Sequence, residues 1–205
     1  MKGIIKDSLI LFTITIIAGF LLGFVYDVTK EPIAKQQQIT KDNACRAVFA
    51  EADSFDEYEI FADGPAAISF DGGEIDEILT AKSSDGAVLG YILTVTEHEG
   101  YGGDITFMIG IQNDGTVNGI SFTSISETAG LGMKAKNPEF KDQFSGKKVE
   151  SFVFTKGGAT AENEIDAISA ATITTTAVTK GVNGALSFFY NNLMQEDTQS
   201  AGGKQ

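Results

Sequence analysis

The sequence DITFMIGIQ at residues 104–112 decides how this chain folds, because its apolar residues recur at every second position. Successive side chains of an extended strand point to opposite sides, so such a period places the apolar residues on one face. The turn sequence Asn113-Asp114-Gly115 follows directly and is typical of a tight turn between antiparallel strands. We therefore predict a hairpin with one buried face, formed in its first strand by Ile105, Phe107, Ile109 and Ile111.

The same period extends through residues 75–125. In GYILTVTEH, at residues 90–98, Tyr91, Leu93 and Val95 share one face, and the turn sequence Ser84-Asp85-Gly86 precedes them. We predict an antiparallel meander, preceded in the acidic segment at residues 55–74 by loops with short strands.

Beyond a predicted short strand in SFVFT, at residues 151–155, the last long segment has a helical period. Its apolar residues recur at steps of three and four, which predicts an amphipathic helix packed on the sheet. They are Ile173, Ala177, Val178, Val182, Ala185, Leu186 and Phe189. The predicted fold class is α+β: an antiparallel β-rich domain with a packed C-terminal helix.

The amino-terminal region predicts a membrane anchor. Residues 9–25 carry no charge, and flanking apolar residues extend this stretch to about the 20 residues that span a bilayer as a helix. A cleaved secretory signal is not favoured, because no A-x-A type site follows. Lys2 and Lys6 precede the span, so the positive-inside rule places the amino terminus in the cytoplasm and the soluble domain outside the cell membrane. The predicted organisation is a cytoplasmic tip and transmembrane helix at 1–30, a membrane-proximal helix at 31–50, an extracytoplasmic domain at 51–194 and a flexible tail at 195–205.

The composition excludes several classes of function. The net charge is −13 and no basic stripe is present, so we expect no nucleic-acid partner. One cysteine, Cys45, allows neither an internal disulfide nor an iron–sulfur cluster, and with a single histidine the chain also lacks ligands for a structural zinc site. His98 is predicted to be an exposed residue at a strand end, and Glu97 and Glu99 to form a solvated acidic face. No phosphate-binding or dinucleotide-binding glycine motif occurs between a strand and a helix, so NAD bound by this chain is not expected.

Two stretches are left as candidates for chemistry. In SETAGLGM, at residues 126–133, Gly130 and Gly132 permit positive φ and a close approach to a flat ligand, although a plain strand-to-helix turn explains this stretch alone. DAISAAT, at residues 166–172, ends where the predicted helix begins, and free N–H groups at a helix start stabilise a phosphate. Here the simpler interpretation is that Ser169 or Thr172 is an ordinary N-cap.

Together these features resemble the RnfG family, the FMN-binding component of the Rnf ion-translocating electron-transport complex, and its relative in the Na⁺-translocating NADH:quinone reductase. The resemblance covers nearly the whole chain, from the membrane helix through a Glu-Thr-x-Gly-Leu-Gly loop to the stretch DAISAAT, which corresponds to the family's Asp-x-x-Ser-Gly-Ala-Thr motif. It implies FMN attached through a phosphoester to Thr172 by a separate flavin transferase with FAD as donor. It further implies that Asp166, Ser169 and Ala171 belong to the motif, and that the flavin is lined by Glu127, Thr128, Gly130, Leu131 and Gly132.

The chain departs from the family pattern at two positions. Ala170 stands where the family usually has glycine, and Ala129 where it often has proline. If the motif needs a left-handed residue, Ala170 would cost about 1 to 2 kcal/mol and slow recognition by the transferase. No histidine lies near Thr172 to activate its hydroxyl, so self-catalysed attachment is not expected.

The function implied by the resemblance is electron relay through covalent FMN in a membrane-bound translocase that couples reduced ferredoxin and NAD⁺ to pumping of Na⁺ or H⁺. The expected partners are the other membrane proteins of the Rnf complex, the transferase and the lipid bilayer, and no catalytic residue is expected beyond the flavin. Two alternatives are a membrane-anchored flavin sensor and a pilin-like structural protein. Against the pilin, the apolar span lacks an acidic residue near its start and no processing site follows a short basic leader.

Overall fold

A computed structural model describes residues 2–58 and 67–194, and the predicted flexible tail at 195–205 lies outside the described residues. The chain divides into two compact units, Met1–Asp42 and Asn43–Gln205. The domain boundaries given above from the sequence stay predictions.

The first unit is helical throughout its described residues. It belongs to helix α1, Lys2–Val48, which continues through Pro32 and ends inside the second unit. Within the described residues α1 is the one helix long and apolar enough to cross a membrane, and its most apolar window has a mean hydropathy of 2.5 with no residue buried. The hydroxyls of Thr13 and Thr15 donate to the backbone carbonyls of Leu9 and Phe12. Both hydroxyls therefore have a hydrogen-bond partner within the helix, as polar groups in an apolar environment require.

The second unit is built on the predicted antiparallel meander. Its strands are β1 Ser54–Glu57, β2 Ile68–Phe70, β3 Gly73–Lys82, β4 Val88–Glu97, β5 Ile105–Gln112 and β6 Val117–Ser124. The order in the sheet is β1-β3-β4-β5-β6, with β2 also paired to β3. The two predicted turns connect β3 to β4 and β5 to β6, and both Gly86 and Gly115 have positive φ there.

Helix α3, Thr172–Phe188, covers one face of the sheet. The predicted face residues of β4 and β5 are almost completely buried against it, as are the apolar residues of α3 from Ala177 to Leu186. Burial of this apolar area, at about 25 cal/mol per Å², is the main contribution to the stability of the fold. Ile173 is the exception: it was predicted to pack on the sheet, but it is 52% exposed.

The other face of the sheet has a smaller cover that the sequence did not predict. Ala44, Cys45 and Val48 from the last turns of α1, followed by Phe49 and Ala52, form a buried cluster with side chains of this face. Those side chains are Leu79, Ala81, Ile92 and Met108. The central strands are therefore buried on both sides.

Short elements between β6 and α3 position the candidate site. They are a 3₁₀ turn at Gly132–Lys136, helix α2 at Pro138–Lys141, a second 3₁₀ turn at Asp142–Phe144, and strands β7 Val153–Thr155 and β8 Glu164–Asp166. The predicted SFVFT strand is β7, and it pairs in parallel with β8. A π-helical turn at Phe189–Leu193 extends α3.

Candidate functional site

The chain turns sharply after β6, in the predicted glycine loop. The N–H groups of Leu131 and Met133 both donate to the carbonyl of Thr128, at 3.1 and 3.2 Å. Gly130 has a φ of +77°, as predicted, whereas Gly132 is not among the residues with positive φ. Gly132 is needed for space instead, because a Cβ there would lie 2.5 Å from Thr174 Oγ1.

Helix α3 begins at Thr172 without a side-chain cap. Its N-cap position is Ala171, so the simpler interpretation, in which Ser169 or Thr172 is an ordinary N-cap, does not hold. The hydroxyl of Thr175 accepts the N–H of Ile168 and donates to the carbonyl of Ala171, at 3.1 and 3.0 Å, and so does not cap the first N–H groups of the helix either. The first N–H groups of α3 therefore have no capping oxygen and are available to an anion.

Ala170 takes a left-handed conformation with a φ of 60° just before this helix start. It is the one non-glycine residue with positive φ in the described part of the chain. An alanine there is less stable than a glycine by about 1 to 2 kcal/mol, because its Cβ crowds the following carbonyl. The departure of this sequence from the family motif therefore falls at a position where glycine is physically preferred.

The hydroxyls of residues 172–176 differ in what they contact. Thr174 donates to Glu127 Oε2 at 3.0 Å, Thr175 to the carbonyl of Ala171, and Thr176 to the carbonyl of Thr172 at 2.8 Å. The hydroxyl of Thr172 makes no hydrogen bond with any described residue, and the residue is exposed. One hydroxyl of this run is thus free to react.

The glycine loop and the start of α3 line a common cleft of about 450 Å³, and Thr172 is the first residue of α3 that lines it. Apolar side chains from three separate segments, Tyr101, Leu131 and Ile173, are the exposed large ones on its walls. The remaining lining residues are Glu127, Thr128, Gly132, Ala170, Ala171, Thr172 and Thr174. Ligand clefts have volumes of about 300 to 1,000 Å³ and combine apolar walls with a few polar groups, so this cleft is suited to a flat aromatic ligand that carries a phosphate.

The structure brings six of the nine predicted site residues to this cleft. They are Glu127, Thr128, Leu131, Gly132, Ala171 and Thr172. Gly130 shapes the turn but does not line the cleft.

Asp166 and Ser169 lie instead on a neighbouring groove of about 490 Å³ that includes Lys134, Phe140 and Gln143. Asp166 faces away from the cleft, because its Oδ1 accepts the N–H of Ala159 at 2.8 Å and its own N–H donates to Gln143 Oε1. The residues of the DAISAAT stretch are therefore divided: Ala171 and Thr172 line the cleft, whereas Asp166 and Ser169 line the neighbouring groove.

Four residues of the cleft were missing from the predicted site: Tyr101, Ala170, Ile173 and Thr174. The sequence contained a sign of Tyr101, an aromatic residue between glycines in GYGGD, and Tyr101 is 69% exposed. Ile173 lines the cleft because Thr174, held by Glu127, takes the buried position of the first turn. The partner of Thr174 lies 47 residues away, so spacing along the sequence could not identify it.

The acidic residues after β4 also differ from the prediction. Glu97 is completely buried, so its assignment to a solvated face is wrong. His98 is about half exposed, as predicted, and its Nδ1 lies 3.0 Å from Asp104 Oδ1. This hydrogen bond to Asp104 raises the pKa of His98, so the imidazole favours the charged form and is not poised as a base.

Comparison with known proteins agrees with this geometry. Residues 100–187 match the FMN-binding domain family, and residues 1–48 match the RnfG N-terminal region. The G subunit of the Na⁺-translocating ferredoxin:NAD⁺ oxidoreductase complex of Acetobacterium woodii is 34% identical over 197 residues, which is 93% of each chain. Its counterpart in the proton-translocating complex of Clostridium ljungdahlii is 32% identical over 189 residues, covering 88% of this chain and 92% of that one.

A solved structure shares the fold. The C subunit of the Na⁺-translocating NADH-quinone reductase from Parabacteroides distasonis superimposes with a TM-score of 0.52 at 20% identity, over 76% of this chain and 93% of that chain.

Proposed function

Because this chain belongs to the RnfG family of the ion-translocating ferredoxin:NAD⁺ oxidoreductase complexes, we propose that it relays electrons in such a complex through FMN bound covalently at Thr172. Family membership favours this function over both the flavin sensor and the pilin-like protein. The observation that carries the attachment site is the free hydroxyl of Thr172, at an uncapped helix start that lines the cleft.

The residues of the cleft fit FMN. Tyr101, Leu131 and Ile173 offer apolar surface to the isoalloxazine ring, and Thr128 adds a polar group at the edge. The uncapped N–H groups of α3 and the positive end of its dipole stabilise a phosphate on Thr172. Thr172 also borders a second, smaller hollow of about 180 Å³ together with Thr176 and Glu99, which leaves room around the phosphoester.

Attachment is a phosphoryl transfer in which FAD is the donor. The Thr172 oxygen forms a bond to the flavin-side phosphorus, the pyrophosphate bond breaks, AMP leaves, and the hydroxyl proton passes to a base. The carboxylate that lines the cleft, Glu127, already accepts a hydrogen bond at each oxygen, and no histidine or lysine is among the described lining residues. We therefore expect a separate transferase to supply the base. We propose that this enzyme contacts the groove with Asp166 and Ser169, since these two motif residues line that groove and not the cleft.

When bound, FMN supplies one-electron and two-electron transfer. The chain's own residues hold it and limit access of water. Tyr101 and Leu131 flank the cleft from two loops, while Ile173 covers it from α3. In this proposal the three side chains hold the flavin and none of them has to react.

The membrane arrangement is part of the proposal. Helix α1 anchors the chain in the lipid bilayer of the cell membrane, and Lys2 and Lys6 support a cytoplasmic amino terminus. The FMN-binding domain then lies outside the cytoplasm, where a covalent bond prevents loss of a flavin that is not readily replaced. The partners are the other membrane proteins of the complex, which bring electron donors and acceptors to the cleft.

The proposed function is tested by coexpressing the full chain with and without a flavin transferase. With the transferase, the denatured protein is expected to fluoresce in a gel and to gain the mass of one esterified FMN. A band without fluorescence and without added mass would refute the covalent-flavin proposal. Recovery of the fluorescent protein with the other membrane proteins of the complex, after mild solubilisation, tests the electron-relay role; isolation of the fluorescent chain alone would favour a sensor.

Ala170→Gly is expected to stabilise the domain by about 1 kcal/mol and to accelerate flavin attachment. Glycine relieves the left-handed strain, and part of that gain is offset by the larger backbone entropy of the unfolded chain. Thermal unfolding and the rate of fluorescence gain at fixed transferase check the two effects. Ala161→Gly is the control: Ala161 is exposed and does not have a positive φ, so the substitution should not raise stability or accelerate attachment. Equal effects of the two substitutions would contradict the role of strain.

A further inference from the structure

We propose that Glu127 is a positioning residue of the flavin site, whose buried carboxylate ties the loop at residues 100–103 to the first turn of α3 and whose charge keeps the flavin harder to reduce. This inference rests on the proposed function. It differs from the implied role of Glu127 as a lining residue, because both of its oxygens are already bound to the protein.

Glu127 is buried, with 7% of the residue exposed, and its carboxylate bridges two segments that are distant in sequence. Oε1 accepts the N–H of Gly102 at 3.1 Å, and Oε2 accepts the hydroxyl of Thr174 at 3.0 Å. Acceptance at both oxygens is the pattern of an ionised carboxylate. Hydrogen bonds to a charged acceptor are roughly twice as strong as those between neutral groups.

Glycines surround this carboxylate at close range. A Cβ on Gly132 would lie 2.6 Å from Oε2, and a Cβ on Gly100 would lie 3.0 Å from Oε1. A Cβ on Gly102 would lie 2.2 Å from the carbonyl of Ser126, the residue before Glu127. The packing therefore admits the carboxylate and excludes side chains from the three glycine positions, so the two hydrogen bonds fix the distance between the loops.

Each segment joined by Glu127 carries one wall of the cleft. Tyr101 lies next to Gly102, Leu131 follows Glu127 on its own loop, and Ile173 precedes Thr174. The carboxylate thus sets the separation of the three apolar side chains that face the flavin. Its loss would widen the cleft without removing any side chain that contacts the ring.

The charge of Glu127 has no counter-ion nearby. No lysine, arginine or histidine of the described residues lies within ion-pair distance of it, and its hydrogen-bond donors are neutral. A negative charge in a weakly screened site disfavours the addition of an electron to a neighbouring group. The reduction potential of the bound flavin is therefore expected to be lower than it would be beside a neutral residue.

The first test uses hydrogen exchange in the full-length, flavin-free chain. Glu127→Ala is expected to increase exchange of the Gly102 amide at least about tenfold, because its acceptor is lost. Thr174→Val keeps the carboxylate but removes its anchor on α3, and it should also accelerate exchange at Gly102. Glu127→Gln retains an acceptor and should stay close to the parent protein. Unchanged exchange in Thr174→Val would overturn the positioning role, even if Glu127→Ala does not fold.

The second test measures the equilibrium of the flavin-loaded chain with a redox dye. Glu127→Gln removes the charge but keeps the bridge, so it is expected to shift the equilibrium toward reduced flavin by on the order of tenfold. Thr174→Val, which keeps the charge, should shift it less. Glu57→Gln, an exposed glutamate of β1 that lines neither the cleft nor the neighbouring groove, is the matched control and should leave the equilibrium unchanged. A Glu127→Gln protein within twofold of the parent would overturn the electrostatic role.

The outcomes separate this inference from the proposed function. Fluorescence of the denatured parent protein reports attachment alone. If the parent carries no flavin, the proposed function fails, whereas the exchange experiment still decides the positioning role. If the parent carries flavin and both tests fail, only the inference about Glu127 is wrong.

Discussion

Thr172→Ala is expected to abolish covalent flavin attachment while leaving the fold intact. The side chain is exposed and its hydroxyl makes no hydrogen bond within the described part of the chain, so its removal should change the free energy of unfolding by no more than about 0.5 kcal/mol. The phosphoester, in contrast, cannot form without the oxygen. Coexpression with a flavin transferase should give a parent band that fluoresces after denaturation and a Thr172→Ala band of equal amount that is dark.

Two further variants make this result specific. Thr172→Ser keeps a hydroxyl at the helix start and should retain fluorescence. Thr176→Ala is the matched control, because its hydroxyl is already bound to the carbonyl of Thr172 one turn away, and it should label like the parent. Fluorescence that persists in Thr172→Ala would assign attachment to another hydroxyl, and Ser169 would then be the first to substitute.

The proposal of Thr172 as the attachment site can be made from its position in the sequence, but the contacts that set it apart from the neighbouring hydroxyls cannot be predicted in this way. The sequence places one threonine where the last helix begins. Whether its neighbours are free depends on the bond between Glu127 and Thr174 and on the bonds of Thr175 around the turn, which spacing in the sequence does not reveal. For the same reason the opposite orientation of Asp166 could not be predicted: its partners, Ala159 and Gln143, come from two separate loops.

The fold was predictable wherever a single periodicity acts over many residues. The alternation along β4 and β5 predicted both strands and their buried faces, and the helical period predicted α3. Contacts between distant segments were missed: the cover of the second sheet face by Val48 and Phe49, and the parallel pairing of β7 with β8. Glu97 is instructive, since it continues the alternating face of Tyr91, Leu93 and Val95, and this strand position buries it despite its polarity.

Glu97 is held in the interior without a hydrogen bond. Neither carboxyl oxygen has a partner among the described residues. Gly72 lies between Glu97 and Lys180: a Cβ on this glycine would be 2.6 Å from Glu97 Oε1 and 3.0 Å from Lys180 Nζ. The Lys180 ammonium is therefore near the Glu97 carboxyl. It forms its ion pairs with other residues, however, with Glu99 at 2.7 Å and with Asp71 at 3.2 Å. Burial raises the pKa of Glu97 from 4.5 to about 7. The positive charge of Lys180 lowers this pKa, and the negative charge of Glu99 raises it.

The domain is therefore expected to lose stability as the pH rises from about 4.5 to about 7. In this window the folded protein keeps a proton on Glu97 that the unfolded chain has already released, so raising the pH favours unfolding, and the full penalty applies above pH 7. The shift corresponds to about 3 kcal/mol, or a fall in Tm of about 6 to 12 °C for a domain of this size. Glu97→Gln removes the titrating group and should unfold at higher temperature than the parent at pH 8.

The measurement is thermal unfolding of the flavin-free full chain in lipid nanodiscs, followed by tyrosine fluorescence between pH 5 and 8. Other titrating groups affect both proteins equally, so the difference between the parent and Glu97→Gln isolates Glu97. Glu57→Gln removes an exposed glutamate of the edge strand β1 and should keep the parent's pH dependence. If Glu97→Gln loses as much stability toward pH 8 as the parent does, the buried carboxyl is not its source. A flatter pH profile for Glu97→Gln than for the parent would mean that the end of β4 is most stable when Glu97 carries its proton. This end of β4 leads directly into the loop that carries Tyr101, a residue of the cleft.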